Sequence, residues 1–136
     1  MTEDSARRPP APSSPSVLSL ALKPVLADLV YAGALPIKVV AIQRDHGTRW
    51  EVVVAVGVGE TGLFVDTDTP LEEIIASLAD QLQEPLIEEA EAAVPKCPLH
   101  EHPLAAQVRS GQAWWECPKS SDAWSCLIGE LAEAGR

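Results

Sequence analysis

The stretch "IKVVAIQRDHGTRWEVVVAVGVGETGLFVDT" (residues 37–67) decides the fold. "IKVVAIQ" (37–43) and "RWEVVVAVG" (49–57) are rich in β-branched residues, and "RDHGT" between them carries the Asp and Gly of a turn. Trp50, Val52, Val54 and Val56 recur at every second position, so a strand here puts all four on one face. "LFVDT" (63–67) supplies a third run after "GVGETG" (57–62). That glycine-rich segment lacks the lysine of a phosphate loop and reads as a turn. Three successive strands with short connections predict an antiparallel meander.

Helical signals lie on both sides of it. Before it, Leu18, Leu22, Val25, Leu26, Leu29 and Val30 follow helical spacing between Leu18 and Ala32. Pro24 must sit in the first turn or kink this helix, and Gly33 is placed to end it. After the strands, Thr69-Pro70-Leu71-Glu72 has the pattern of a capping box, with Thr69 as N-cap. Leu71, Ile74, Ile75, Leu78 and Leu82 then form one apolar stripe, with Glu72, Glu73, Asp80 and Glu84 mainly away from it. Pro85 is expected to break or kink the helix, with "LIEEAEAAV" continuing as a second piece. The order predicts an α+β class: an α-β-β-β-α domain over residues 17–95, a small antiparallel sheet with helices on one face. Residues 1–16, "MTEDSARRPPAPSSPS", read as a disordered Pro-rich leader.

With 46% hydrophobic residues the chain can bury a core, and its formal charge is −10. Residues 71–96 hold seven acids and one base, a net of −6. Such a surface repels phosphate backbones and anionic lipid, which speaks against nucleic acid and membrane as partners. No apolar run reads as long as the ~18–20 residues of a membrane helix. The short apolar stretch after Arg7-Arg8 is interrupted by Lys23 and Pro24, unlike a signal peptide, so the expected location is cytoplasmic.

Composition changes after Val94-Pro95. Residues 97–136 contain all three cysteines, two of the three histidines and three of the four tryptophans. An odd cysteine count opposes a disulfide scaffold, and Cys with His in a short segment points to metal. In "CPLHEHP" (97–103), Cys97 and His100 have the spacing of a metal-binding turn; "AAQVRSGQAWWEC" follows as a hairpin turning at Ser110-Gly111 and closing at Cys117. Cys97, His100 and Cys117 are the firm ligand candidates. For the fourth, His102 is preferred because in an extended segment it shares a side with His100; Cys126 is the alternative, though its distance from Cys117 exceeds the usual second turn. About 40 residues with few aliphatics make a poor core, so residues 96–136 are expected to be a small zinc-ribbon-like β-hairpin module held by a structural zinc. In the hairpin, adjacent Trp114 and Trp115 are expected to face opposite sides.

The string "CPLHEHPL…AWWECP…IGEL" resembles uncharacterised small bacterial proteins with a C-terminal CPxHxHP…WxCP, zinc-ribbon-like module. The resemblance implies Cys97, His100, His102 and Cys117 as ligands, is silent on Cys126, and implies no activity.

The functional expectation is therefore a non-enzymatic protein-interaction or adaptor protein, docking another, basic protein through the acidic helix 71–94. The alternatives are a nucleic-acid-associated accessory protein, opposed by the charge, and a zinc-dependent hydrolase. Glu101 and Glu116 flank ligand candidates, but no H-E-x-x-H or deaminase signature is present.

Overall fold

The computed structural model describes residues 15–33 and 35–134. The leader read over residues 1–16 lies outside the described residues, except that Pro15 and Ser16 already belong to the first helix. Helix α1 (Pro15–Gly33) is followed by strands β1 (Ile37–His46), β2 (Arg49–Val56) and β3 (Gly59–Asp66), then helix α2 (Leu71–Ala90). Strands β4 (Ala105–Arg109), β5 (Gln112–Glu116) and β6 (Ser125–Leu127) come next, with a short helix α3 (Leu131–Ala134). The class is mixed helix and strand, with one antiparallel sheet ordered β1-β2-β3 and another ordered β4-β5-β6.

The meander follows from the alternation of its central strand. Trp50, Val52, Val54 and Val56 of β2 are all buried while the residues between them are not. The turns are shorter than the sequence suggests. Gly57 at φ +60° lets the chain reverse within Gly57-Val58, so Gly59–Gly62 belong to β3 rather than to a loop. Likewise β1 runs on to His46, and the reversal occurs at Gly47-Thr48.

Both helices run unbroken through their prolines, Pro24 and Pro85. Continuity through Pro24 joins two apolar runs into one, and Ser16–Gly33 is thereby long and apolar enough to cross a membrane by length and composition, against the expectation. In the fold, however, Leu18, Ala21, Leu22, Val25 and Leu29 of α1 are buried in the core. The expected capping box is not formed. Pro70 is the N-cap without a side-chain cap; Thr69 donates its hydroxyl to Asp66 O (2.8 Å), and Glu72 turns to accept the Ala113 N–H (2.7 Å). Leu71 is exposed, and the helix ends at Ala90, where Glu91 adopts the left-handed conformation.

Helix α2 is buried on more than one stripe. Ile74, Ile75, Leu78, Leu82 and Leu86 are joined by Ala76, Ala79 and Gln83, which lie a third of a turn away. Helix α2 is in contact with α1, with β2 and β3 of the meander, and with β4 and β5. One continuous core results, including Trp115, Cys97, Leu104, Ile128 and Leu131 alongside the helices and β2.

Candidate metal centre

The segment from Pro95 to Leu104 folds back on itself as a narrow loop. The Leu104 N–H bonds to Pro95 O (2.8 Å), Lys96 bridges to Pro103, and the Cys97 N–H bonds to His102 O (3.0 Å). At its tip the His100 N–H reaches Cys97 O (3.4 Å), the closed turn that the C-x-x-H spacing anticipates. Cys117 arrives at the end of β5. Its N–H bonds to Trp124 O (2.9 Å) and its carbonyl accepts from Ser120 N (3.1 Å), which curls the chain beneath the thiol.

These two segments bring Cys97, His100, His102 and Cys117 together, with one donor atom from each lying within 4.8 Å of all the others. His100 Nδ1 is 3.5 Å from Cys97 Sγ and 3.5 Å from Cys117 Sγ; His102 Nε2 is 3.9 Å from Cys117 Sγ. The two imidazoles stack with centroids 4.7 Å apart and planes inclined by 23°. Both cysteines are buried and both histidines half-buried. The four residues lie close enough to bind a metal ion. His102 Nδ1 sits 3.1 Å from Pro103 O, so an N–H there fixes the tautomer that leaves Nε2 free to ligate. Desolvation is the largest influence on the Cys117 thiol and raises its pKa. Backbone N–H groups of Ser120 and Lys119, the Cys97 contact and the Lys119 charge outweigh it and hold the thiol below its ordinary value, which favours the thiolate a metal needs.

Cys126 is not in this group. It sits in β6 opposite Trp115, and burial, followed by the charges of Asp28, Glu130 and Glu133, pushes its thiol up to about 12. It is a neutral core residue. The carboxylates beside the ligands are engaged elsewhere: Glu101 pairs with Lys96 (3.5 Å), and Glu116 accepts from Arg109 Nε (2.6 Å).

Trp114 and Trp115 face opposite ways, as the hairpin requires. Trp114 lies under the Arg109 guanidinium, 4.6 Å from its centroid, while Trp115 is fully buried and donates Nε1–H to Asp28 Oδ2 (2.9 Å). Asp28 also accepts from Gly129 N (2.5 Å) and Leu131 N (3.2 Å), tying the C-terminal segment to α1. Nothing in the periodicity of α1 marks Asp28 beyond its being an acid among apolar neighbours. Gln83 is similarly hidden, an amide on the Ala76/Ala79 side of α2.

No protein-family model, curated protein or solved structure matches this chain.

Proposed function

We propose that Cys97, His100, His102 and Cys117 hold one structural zinc ion, and that the protein is a non-enzymatic interaction module presenting the acidic side of α2 to a basic protein partner. The observation that carries the metal reading is the spacing of the donors. A tetrahedral zinc with Zn–S ~2.3 Å and Zn–N ~2.0–2.1 Å separates a ligand sulfur from a ligand nitrogen by roughly 3.6 Å. Three sulfur–nitrogen distances, 3.5, 3.5 and 3.9 Å, lie near that value, and all four donors fall within 4.8 Å of one another, so a small contraction closes the shell. Two thiolates with two imidazoles suit zinc over hard, oxygen-preferring cations. The two ligand-bearing turns and the three-stranded sheet between and after them support a zinc-ribbon-like arrangement.

A structural role is supported by the donor count. Four protein ligands close a tetrahedral shell, whereas catalytic sites keep a position for water and a carboxylate beside it. Glu101 and Glu116, the carboxylates next to these residues in sequence, are paired with Lys96 and Arg109.

The interaction reading rests on α2. Glu73, Asp80, Glu84 and Glu88 are exposed and fall on the helix side opposite the buried one, and Glu91 is exposed just past the helix end. Among the described residues none of these five is in an ion pair. A row of unneutralised carboxylates favours cationic partners and disfavours phosphate. The cytoplasmic reading goes with it: Leu18, Ala21, Leu22, Val25 and Leu29 of α1 are used in the core, which supports a role in packing for that face, while Leu20, Val30 and Tyr31 of the same helix are exposed.

The test compares the parent chain with one carrying Glu73→Gln, Asp80→Asn, Glu84→Gln and Glu88→Gln in a pull-down at ~50 and ~150 mM salt, a range over which screening strengthens markedly. A partner held by this face is retained by the parent at low salt and lost in the variant. Equal recovery by both, or a gel shift of nucleic acid by the parent at ~150 mM salt, contradicts the reading.

A further inference from the structure

The metal loop does not stand free of the helix that packs beneath it. Gln83 of α2 is buried at 6% exposure, and its amide nitrogen donates to two carbonyls, Val94 O (3.1 Å) and Leu104 O (2.7 Å). These two carbonyls flank the loop, one before it and one after it. From that base the pairing climbs in order: Leu104 N to Pro95 O, the Lys96–Pro103 bridge, then Cys97 N to His102 O. The last rung is made by two ligand residues. Pro103, on the rung below, supplies the carbonyl that orients the His102 ring.

We infer that Gln83 is the positioning residue of the metal centre: its amide clamps the two ends of the 94–104 loop, and so sets the separation and orientation of Cys97, His100 and His102 before metal arrives. This inference rests on the metal reading above and extends it from the ligands to their support. Residues that orient ligands without touching the metal typically change its affinity by about 10–100-fold. A glutamine suits the task because one NH2 group has two N–H donors, and both carbonyls are buried with it. Neither isostere can replace it. Glutamate at neutral pH offers only acceptors against two carbonyl oxygens, and methionine leaves both carbonyls without a donor.

A matched control lies two residues away on the same helix. Gln81 also makes two backbone bonds, donating to Phe64 O (2.7 Å) and accepting from Phe64 N (2.9 Å), but it serves the edge of β3 and not the metal loop. The parent, Gln83→Met, Gln83→Glu and Gln81→Met chains are loaded with Co²⁺ or Zn²⁺ in competition with a chelator, and each metal-free chain is melted in parallel. Co²⁺ also reports the ligand set by its visible bands. The expected result is metal affinity about 10–100-fold weaker in both Gln83 variants, read where their metal-free forms are still folded, and parental affinity in Gln81→Met despite its lower melting temperature. If Gln83→Met does not fold, Gln83→Asn, which keeps the amide but falls short by one methylene, carries the same comparison. Gln83 variants with parental affinity, or Gln81→Met weakened as much as they are, overturn the role of Gln83 alone. A parent chain that binds neither ion overturns both this inference and the metal reading.

Discussion

Cys117 and Cys126 flank the same loop, yet their thiols sit in opposite chemical settings. Backbone N–H groups hold the first below its ordinary pKa, and burial beside carboxylates pushes the second up to about 12. Replacing Cys97 or Cys117 by Ser should abolish metal binding, and Cys126→Ala should leave it at the parental level; elemental analysis of the three proteins checks this. Cys126 should also alkylate more slowly than Cys117 in the metal-free folded chain, because both are buried but only the Cys117 thiol is held toward thiolate. Asp28 gives a second residue-scale outcome. Burial is the largest influence on its carboxyl and raises it from 3.8, against the hydrogen bonds from Gly129, Trp115 and Leu131 that pull it down. The folded chain thus keeps this proton to higher pH than the unfolded one, so stability from this group falls as pH rises from 3.8 through the folded value and is level above it. Asp28→Asn should remove that component in denaturant titrations run at several pH values. Asp28→Ala should cost about 3 kcal/mol or more, because three buried donors lose their acceptor. The cluster of Cys97, His100, His102 and Cys117 was legible because Cys and His are rare and chemically specific; Asp28 was not, because its partner Trp115 is 87 positions away.

At the scale of elements, period carried most of the information. The alternation in β2 and the i, i+3, i+4 pattern of α2 are dictated by which face meets the core, so strands and helix could be read directly. Turn Ser110-Gly111 was legible for a related reason, since Ser110 (φ 56°) and Gly111 (φ 77°) adopt the left-handed conformation that a tight hairpin demands. What failed depended on contacts between elements. The capping box lost Glu72 to Ala113, and neither helix breaks at its proline, with buried residues holding α1 and α2 on both sides of Pro24 and Pro85. Strand β6, only three residues long, has no periodicity to show and exists by pairing with β5. The second buried side of α2 was hidden because Ala76 and Ala79 are not conspicuously apolar. Ala79 is fully buried, so Ala79→Leu should overpack the junction and cost about 1–3 kcal/mol. Glu84→Gln, on the exposed side, should change stability by no more than about 0.5 kcal/mol. Urea denaturation of the two variants distinguishes a doubly packed helix from one with a single buried stripe.

Over the whole molecule, the C-terminal residues share the core that the helices and meander build. Trp115 is fully buried and bonded to α1, Gln83 joins α2 to the 94–104 loop, and Leu131 is buried with one bond to Asp28. A metal held at Cys97, His100, His102 and Cys117 would therefore stabilise a structure that is continuous with the rest of the chain, by its binding free energy to the folded form. Zinc removal should lower the melting temperature of the entire protein in a single transition, monitored by Trp fluorescence and by circular dichroism together. The most direct test of the account is the metal content of protein purified without chelator or added metal, measured with the sulfur of the same sample as an internal count of chains. The account requires about one zinc per chain, the capacity of a single four-ligand tetrahedral site, lost in Cys97→Ser and in Cys117→Ser. Metal-free protein that takes up no zinc when it is offered, and melts cooperatively with Trp115 still buried, would contradict it.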